Sequence, residues 1–231
     1  MLINGLQKLT LLDFPGQIAC TVFTLGCNLR CPFCQNRSLV MPEHFEPGTL
    51  LPLSQVFDFL QERKDKLQGV CITGGEPTLQ ADLIDFIIQI KNLGYKIKLD
   101  TNGTKPDVLK TLFDKHLLDY IAMDIKSDKD NYNMLAGNDT DWNNLQASIN
   151  LIKQSGIAYE FRTTVVKPLH NETIFQNIAK MLEHVTNYSL QYYQESDDVI
   201  QPIYQTPSDQ EMAAYQRILQ TCADHVVIKG R

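Results

Sequence analysis

Three cysteines fall within eight residues, in the run Cys27-Asn28-Leu29-Arg30-Cys31-Pro32-Phe33-Cys34. Gaps of three and then two residues let one loop turn all three sulfurs toward a single point. Thiolates are soft ligands that suit iron-sulfur clusters, zinc or copper(I). A structural zinc or a fully ligated four-iron cluster takes a fourth protein ligand, and none stands at an obvious spacing: His44 lies well downstream and Cys20 sits in the preceding β-like run. Three cysteines on a four-iron cluster leave one iron open to an outside ligand, and an open position is where chemistry occurs. The alternatives are a zinc knuckle or three unrelated buried cysteines.

A second group of residues interrupts runs that are otherwise apolar. Thr73-Gly74-Gly75-Glu76-Pro77 follows one β-like run, and its paired glycines allow backbone to approach a ligand closely. Taken alone, it reads equally well as a tight turn. Asp100-Thr101-Asn102-Gly103, Asp124-Ile125-Lys126 and Arg162 end or occupy three further runs. Charges in such places cost several kcal/mol if unpaired, so they meet a polar ligand or one another; a salt bridge of Asp124 with Lys126 is the plain alternative. His170, after Lys167-Pro168-Leu169, reads as an exposed loop histidine, with a ligand contact at the site's mouth as the alternative. No hydrolytic nucleophile with its base is evident.

These residues need a frame. Residues 17–24 are rich in β-branched and aromatic side chains and read as a strand ending just before the cysteine loop. A polar, Pro-containing connection over 41–48 follows, and then Leu53, Val56, Phe57 and Leu60 recur at helical spacing, with Ser54 as the expected N-cap. Strands are predicted at 69–73, 95–100, 120–125, 157–166 and 188–193. Between and after them come helices carrying Leu83, Phe86, Ile87 and Ile90; Leu109, Leu112 and Phe113; Leu145, Ile149 and Ile152; Phe175, Ile178, Ala179 and Leu182; and a last helix opened by a Ser208/Glu211 capping box. That makes six βα units, with room for a terminal strand at 226–229. Helical crossovers imply parallel pairing. An eight-unit barrel needs two more units, so an open partial barrel or a doubly wound sheet fits, and either puts the site at the C-terminal ends of the strands.

With 231 residues the chain suits one α/β domain spanning 1–231. Its 21 basic and 27 acidic side chains give a net charge of −6, which disfavours nucleic acid as a partner. No apolar run approaches a membrane span and the N-terminus lacks a signal pattern, so a cytoplasmic protein without membrane partners is expected. Six cysteines in that setting argue for metal chemistry at the clustered three. Cys20, Cys71 and Cys222 read as small buried hydrophobes, Cys222 on the apolar face of the last helix.

The Cys-x3-Cys-x2-Cys spacing with Phe33 before the last cysteine resembles the cluster loop of the radical S-adenosylmethionine superfamily. Asp13-Phe14-Pro15-Gly16, Gly26-Cys27-Asn28 and Cys34-Gln35-Asn36 resemble its glycyl-radical-enzyme activase branch, with Asp-Phe-Pro-Gly and Cys-Gln-Asn departing from the commoner Asp-Gly-Pro-Gly and Cys-His-Asn or Cys-Tyr-Asn. The resemblance covers nearly the whole chain. It implies a partial (βα)6 TIM-like barrel with parallel strands, one 4Fe-4S cluster on Cys27, Cys31 and Cys34, and S-adenosylmethionine as cofactor. It also implies cofactor contacts at Phe33, Gly74, Gly75, Glu76, Pro77, Asp100, Asn102, Asp124, Lys126 and, more weakly, Arg162, with Glu76 holding the turn rather than moving protons. A monovalent cation near Asp100 and Asp124 belongs to the same pattern, and Asp13 lies in the region that meets the target peptide and is the implied catalytic residue. The implied chemistry is one-electron cleavage of S-adenosylmethionine to methionine and a 5′-deoxyadenosyl radical. The implied partners are a glycyl radical enzyme, foremost anaerobic ribonucleoside-triphosphate reductase, and a flavodoxin- or ferredoxin-type electron donor. The alternatives are a small-molecule radical enzyme like the deazaguanine synthases and a zinc- or cluster-binding interaction module.

Overall fold

The computed structural model describes residues 1–45 and 48–230. Eight strands form one sheet in sequence order: β1 (Ile3–Thr10), β2 (Ala19–Thr24), β3 (Gly69–Gly74), β4 (Lys96–Thr101), β5 (Tyr120–Asp124), β6 (Ala158–Val165), β7 (Val185–Tyr192) and β8 (Ala223–Lys229). β1 pairs antiparallel with β2, and every later neighbour pair is parallel. No pairing joins β1 to β8 among the described residues, so the sheet curls without closing. The partial barrel of six βα units from β2 to β7 is the observed architecture.

The helices are α1 (Arg37–Val40), α2 (Leu53–Arg63), α3 (Leu83–Asn92), α4 (Pro106–Asp114), α5 (Tyr132–Ala136), α6 (Trp142–Gln154), α7 (Glu172–Leu182) and α8 (Asp209–Leu219). Their apolar stripes cover the outer face of the sheet: Val56 and Leu60, Phe86 and Ile90, Leu109 and Leu112, Ile149 and Ile152, and Ile178 and Leu182 are all buried. Each such side chain contributes about 1.5–3 kcal/mol by leaving water. The Ser208/Glu211 capping box is formed in full. None of the described helices is long and apolar enough to cross a membrane.

Several boundaries differ from the sequence reading. β1 was not foreseen, because an edge strand half exposed to solvent, with Gly5 in its middle, carries little apolar alternation. Pro52, not Ser54, stands at the N-cap of α2, and no side chain caps it. The two shortest helices, α1 and α5, fall below the length at which periodicity is readable. The 41–48 connection contains a 3-10 turn, Pro42–His44, and its residues 46 and 47 lie outside the described ones. α8 ends at Leu219, so Cys222 lies just beyond it, still buried, with its thiol donating to the Leu219 carbonyl at 3.3 Å. Cys20 and Cys71 are buried within β2 and β3.

The Asp13-Phe14-Pro15-Gly16 turn folds across the floor of the barrel. Phe14 is buried, its ring 6.2 Å from that of Tyr120 at the start of β5, and a Cβ on Gly69 at the start of β3 would come within 2.8 Å of it. Only a glycine there lets the Phe14 ring plug the N-terminal end of the barrel.

Candidate active site

The cysteine loop leaves the end of β2 and is tied down on every side. Gly26 turns it at φ +91°, and the Glu76 N–H donates to the Gly26 carbonyl at 2.8 Å. A Cβ on Gly75 would lie 2.1 Å from that oxygen, so the glycine pair serves a close backbone contact. On the far side Arg30 N donates to the Ala136 carbonyl at 2.8 Å, and its guanidinium donates to the carbonyls of Cys27 and Leu29. Asn28 bridges Thr104 and Asn102, each at 2.9 Å. A segment before α8 straps the loop's exit: Ile200 N donates to Cys34 O at 3.1 Å and Gln201 N to Pro32 O at 2.8 Å.

The loop lines a cavity of about 340 Å³ at the C-terminal ends of the strands, within the range of about 300–1,000 Å³ usual for small-molecule sites. Of the residues predicted from sequence, Asp13, Cys27, Cys31, Phe33, Cys34, Gly74, Gly75, Glu76, Asp100, Asn102, Asp124, Lys126 and Arg162 line it. Pro77 does not; it is buried behind the wall as the first residue of a 3-10 turn. Asp13 reaches the cavity from below and accepts a hydrogen bond from Thr21 at 2.6 Å.

Three thiols on one rigid loop fit an iron-sulfur cluster. Thiolates are soft donors suited to iron, and in such a cluster each would hold its own iron. Burial pushes the Cys27 thiol up to about 11 and that of Cys31 to about 12, and raises Cys34 as well. The metal-free loop therefore holds neutral thiols, and ligation must release their protons.

Glu76 is fully enclosed and spends its carboxylate on structure. It accepts from the Thr78 N–H and hydroxyl, from the Thr101 hydroxyl at 2.8 Å and from the Asn102 N–H at 2.6 Å. Burial lifts its pKa, and these bonds offset only part of the rise. One side chain thus fixes the ends of β3 and β4 together.

The charged residues of β4, β5 and β6 pair with one another across the inner face. Arg162 donates through Nε to Asp124 and through Nη1 to Asp100, at 2.9 and 3.0 Å. Lys126 meets the other Asp124 oxygen at 2.9 Å, and Lys98 meets the other Asp100 oxygen. The salt bridge weighed as the plain alternative for Asp124 and Lys126 is thus present, within a larger ladder. Burial alone would raise the Asp124 carboxyl, but Arg162 and Lys126 outweigh it and hold it well below the usual carboxylate range; Arg162 and Lys98 do the same for Asp100. The ladder holds three cations and two carboxylates, but Lys98 lies behind the cavity wall, and Asp13 and Glu76 add two further carboxyl groups to that wall. Lys98 was missed in the sequence, although its i, i+2 relation to Asp100 places both on one face of β4.

His170 is not an exposed loop residue. It is 5% exposed, with its ring stacked on Phe175 and set edge-on to Phe33. Nδ1 accepts from the Val166 N–H at 3.0 Å, which leaves Nε2 to carry the proton and donate to the Lys126 carbonyl at 3.0 Å. Burial pushes its pKa down to about 4. The unfolded chain protonates near 6.5, so the neutral ring stabilises the fold above that pH, and this contribution is lost as the pH falls from about 6.5 to 4. Denaturant titrations should show the wild type losing roughly 3 kcal/mol more than His170→Gln between pH 7 and pH 4. Parallel losses in the two proteins would refute this.

Comparison with known proteins agrees with this geometry. The Radical SAM superfamily model matches residues 21–182. A Methanocaldococcus jannaschii protein assigned as a glycyl-radical enzyme activating enzyme is 31% identical over 235 aligned residues, covering 99% of this chain and 95% of that one. A 7-carboxy-7-deazaguanine synthase from Thermoplasma acidophilum is 32% identical over 105 residues, 46% of each chain. Among solved structures, a domain of pyruvate-formate lyase-activating enzyme from Bacteroides vulgatus superposes with a TM-score of 0.56 at 19% identity, covering 69% of this chain and 98% of that domain, a likeness of fold alone. By its cysteine loop, its partial barrel and a match over most of its length, the chain belongs to the Radical SAM superfamily.

Proposed function

We propose that this protein is an activase that generates a glycyl radical on a partner enzyme, with anaerobic ribonucleoside-triphosphate reductase as the partner. The observation that carries the reading is the extent of likeness. The match to the M. jannaschii activating enzyme spans 99% of the chain, including the floor turn and both open edges of the sheet, while the match to the deazaguanine synthase spans 46%. With a 4Fe-4S cluster on Cys27, Cys31 and Cys34 and S-adenosylmethionine bound, reduction by a flavodoxin- or ferredoxin-type donor supplies a 5′-deoxyadenosyl radical.

The protein's own part is to bind, orient and shield. Lys126 and Arg162, the two cations that line the cavity, suit the carboxylate of the methionyl group, and the Gly74–Gly75 backbone suits its amino group. A monovalent cation beside Asp100 and Asp124 would have to share oxygens that already hold Lys98, Arg162 and Lys126, so it is given no role. Asp13 and Gln7 of β1 both line the cavity, Asp13 from below, and Asp13 is assigned to meet the incoming segment of the partner.

Reduced protein with S-adenosylmethionine should raise a glycyl radical signal in the reductase when a panel of glycyl radical enzymes is tested anaerobically. Asp13→Asn should slow that signal about tenfold or more while uncoupled cofactor cleavage changes little. A silent panel, together with turnover stimulated by a pterin-like small molecule, would replace this reading with the small-molecule alternative.

A further inference from the structure

The turn after β4, residues 101–104, lies against the first cysteine of the loop and is tied down by its neighbours. Glu76 accepts from the Thr101 hydroxyl and from the Asn102 N–H. The Ser148 hydroxyl of α6 donates to the Gly103 carbonyl at 2.6 Å, and a Cβ on Gly103, at φ +77°, would fall 2.1 Å from Met123 Cε. Asn102 is held in this turn at 6% exposure.

The hydrogen bonds settle which way its side-chain amide points. The Thr104 N–H, which can only donate, reaches Asn102 Oδ1 at 3.0 Å, and the Thr104 hydroxyl donates to the same oxygen at 2.7 Å. Nδ2 is therefore on the side of the cysteine loop. It donates to Asn28 Oδ1 at 2.9 Å, and the Asn28 amide closes a ring by donating to the Thr104 hydroxyl at 2.9 Å. Its second donor is directed at Cys27 Sγ, 3.8 Å away. The Leu29 N–H meets the same sulfur at 3.4 Å. Both donors of the Asn102 amide and both lone pairs of its oxygen are thus taken. An N–H facing a neutral thiol is a weak contact, whereas the same N–H facing a thiolate is a charge-assisted bond, shorter and stronger.

We propose that Asn102 is a positioning residue whose amide donates to the Cys27 sulfur when that sulfur is a cluster ligand, and thereby raises the reduction potential of the cluster. The inference rests on the cluster reading of Cys27, Cys31 and Cys34. A hydrogen bond to a ligand sulfur favours the state with more negative charge, which is the reduced cluster. The ring through Asn28 and Thr104 aims the amide, and the sulfur is its target.

Two variants separate the donor from the ring. Asn102→Ala removes both, while Thr104→Val breaks the ring and keeps the donor, because the residue 104 N–H still orients Asn102 Oδ1. Each is reconstituted anaerobically, with iron and sulfide counted per chain, and its cluster is titrated for the midpoint potential. At fixed potential the reduced-to-oxidised ratio should fall about tenfold in Asn102→Ala, a midpoint about 59 mV more negative for one electron, and stay within about twofold of wild type in Thr104→Val. An unchanged midpoint in Asn102→Ala at full cluster content would overturn the proposal alone. So would equal shifts in the two variants, since the ring would then be responsible. Should Asn102→Ala hold no cluster, the wild type decides: with heavy nitrogen placed only in its asparagine side-chain amides, pulsed EPR of the reduced cluster should show a nitrogen coupling, and its absence would overturn the proposal. A wild-type chain that assembles no cluster would overturn the proposal and the cluster reading together.

Discussion

Serine at Cys27, Cys31 or Cys34 should leave the protein without its iron. Wild type reconstituted under strict anaerobiosis is expected to take up about four irons per chain, with the charge-transfer absorption of a 4Fe-4S cluster. Each single variant should fall close to zero. The size of the effect follows from the donor set: each of the loop's three thiolates would hold its own iron, and a serine oxygen is too hard a donor to replace one. Alanine at Cys20, Cys71 or Cys222 should keep full iron content, since these thiols are enclosed in the core away from the loop and their loss costs only packing. Tight zinc with no redox-active iron in the wild type would overturn the assignment.

The second large effect concerns Asp124→Asn. The residue anchors both Arg162 and Lys126, and removing its charge leaves two cations beside a neutral amide. Breaking a buried pair in this way typically costs about 3–5 kcal/mol, and because the Asp124 side chain retains 28% exposure the lower end applies. The sequence left open whether these charges meet a ligand or one another, and the ladder shows that they are one another's partners before any ligand arrives. S-adenosylmethionine affinity should fall as well, since Arg162 and Lys126 lose their fixed positions. Full affinity in the folded fraction would show the ladder to be purely structural. Both carboxyls sit below their usual range in the fold, so their contribution is complete above about pH 4 and fades as the pH drops further. That window lies below the one in which His170 acts.

Particular residues show what the sequence made legible. The cysteine loop and the Gly74-Gly75-Glu76-Pro77 turn are contiguous, so their spacing carried their geometry, and the helices that cover the sheet announced themselves by apolar spacing. The Lys98 contact with Asp100 and the reach of Arg162 to two carboxylates are relations between strands, and they became visible only once register placed Asp124 opposite Arg162. His170 was misread because local polarity says nothing about the rings of Phe33 and Phe175 that enclose it. β1 was missed because half of its surface faces water.

The most direct test of the account follows the hydrogen atom. Reductase carrying deuterium at the α-carbon of its target glycine, mixed with reduced protein and S-adenosylmethionine, should yield 5′-deoxyadenosine with one deuterium as the glycyl radical appears. A glycyl radical formed with no label in the 5′-deoxyadenosine, or 5′-deoxyadenosine released with no radical on any candidate partner, would contradict it.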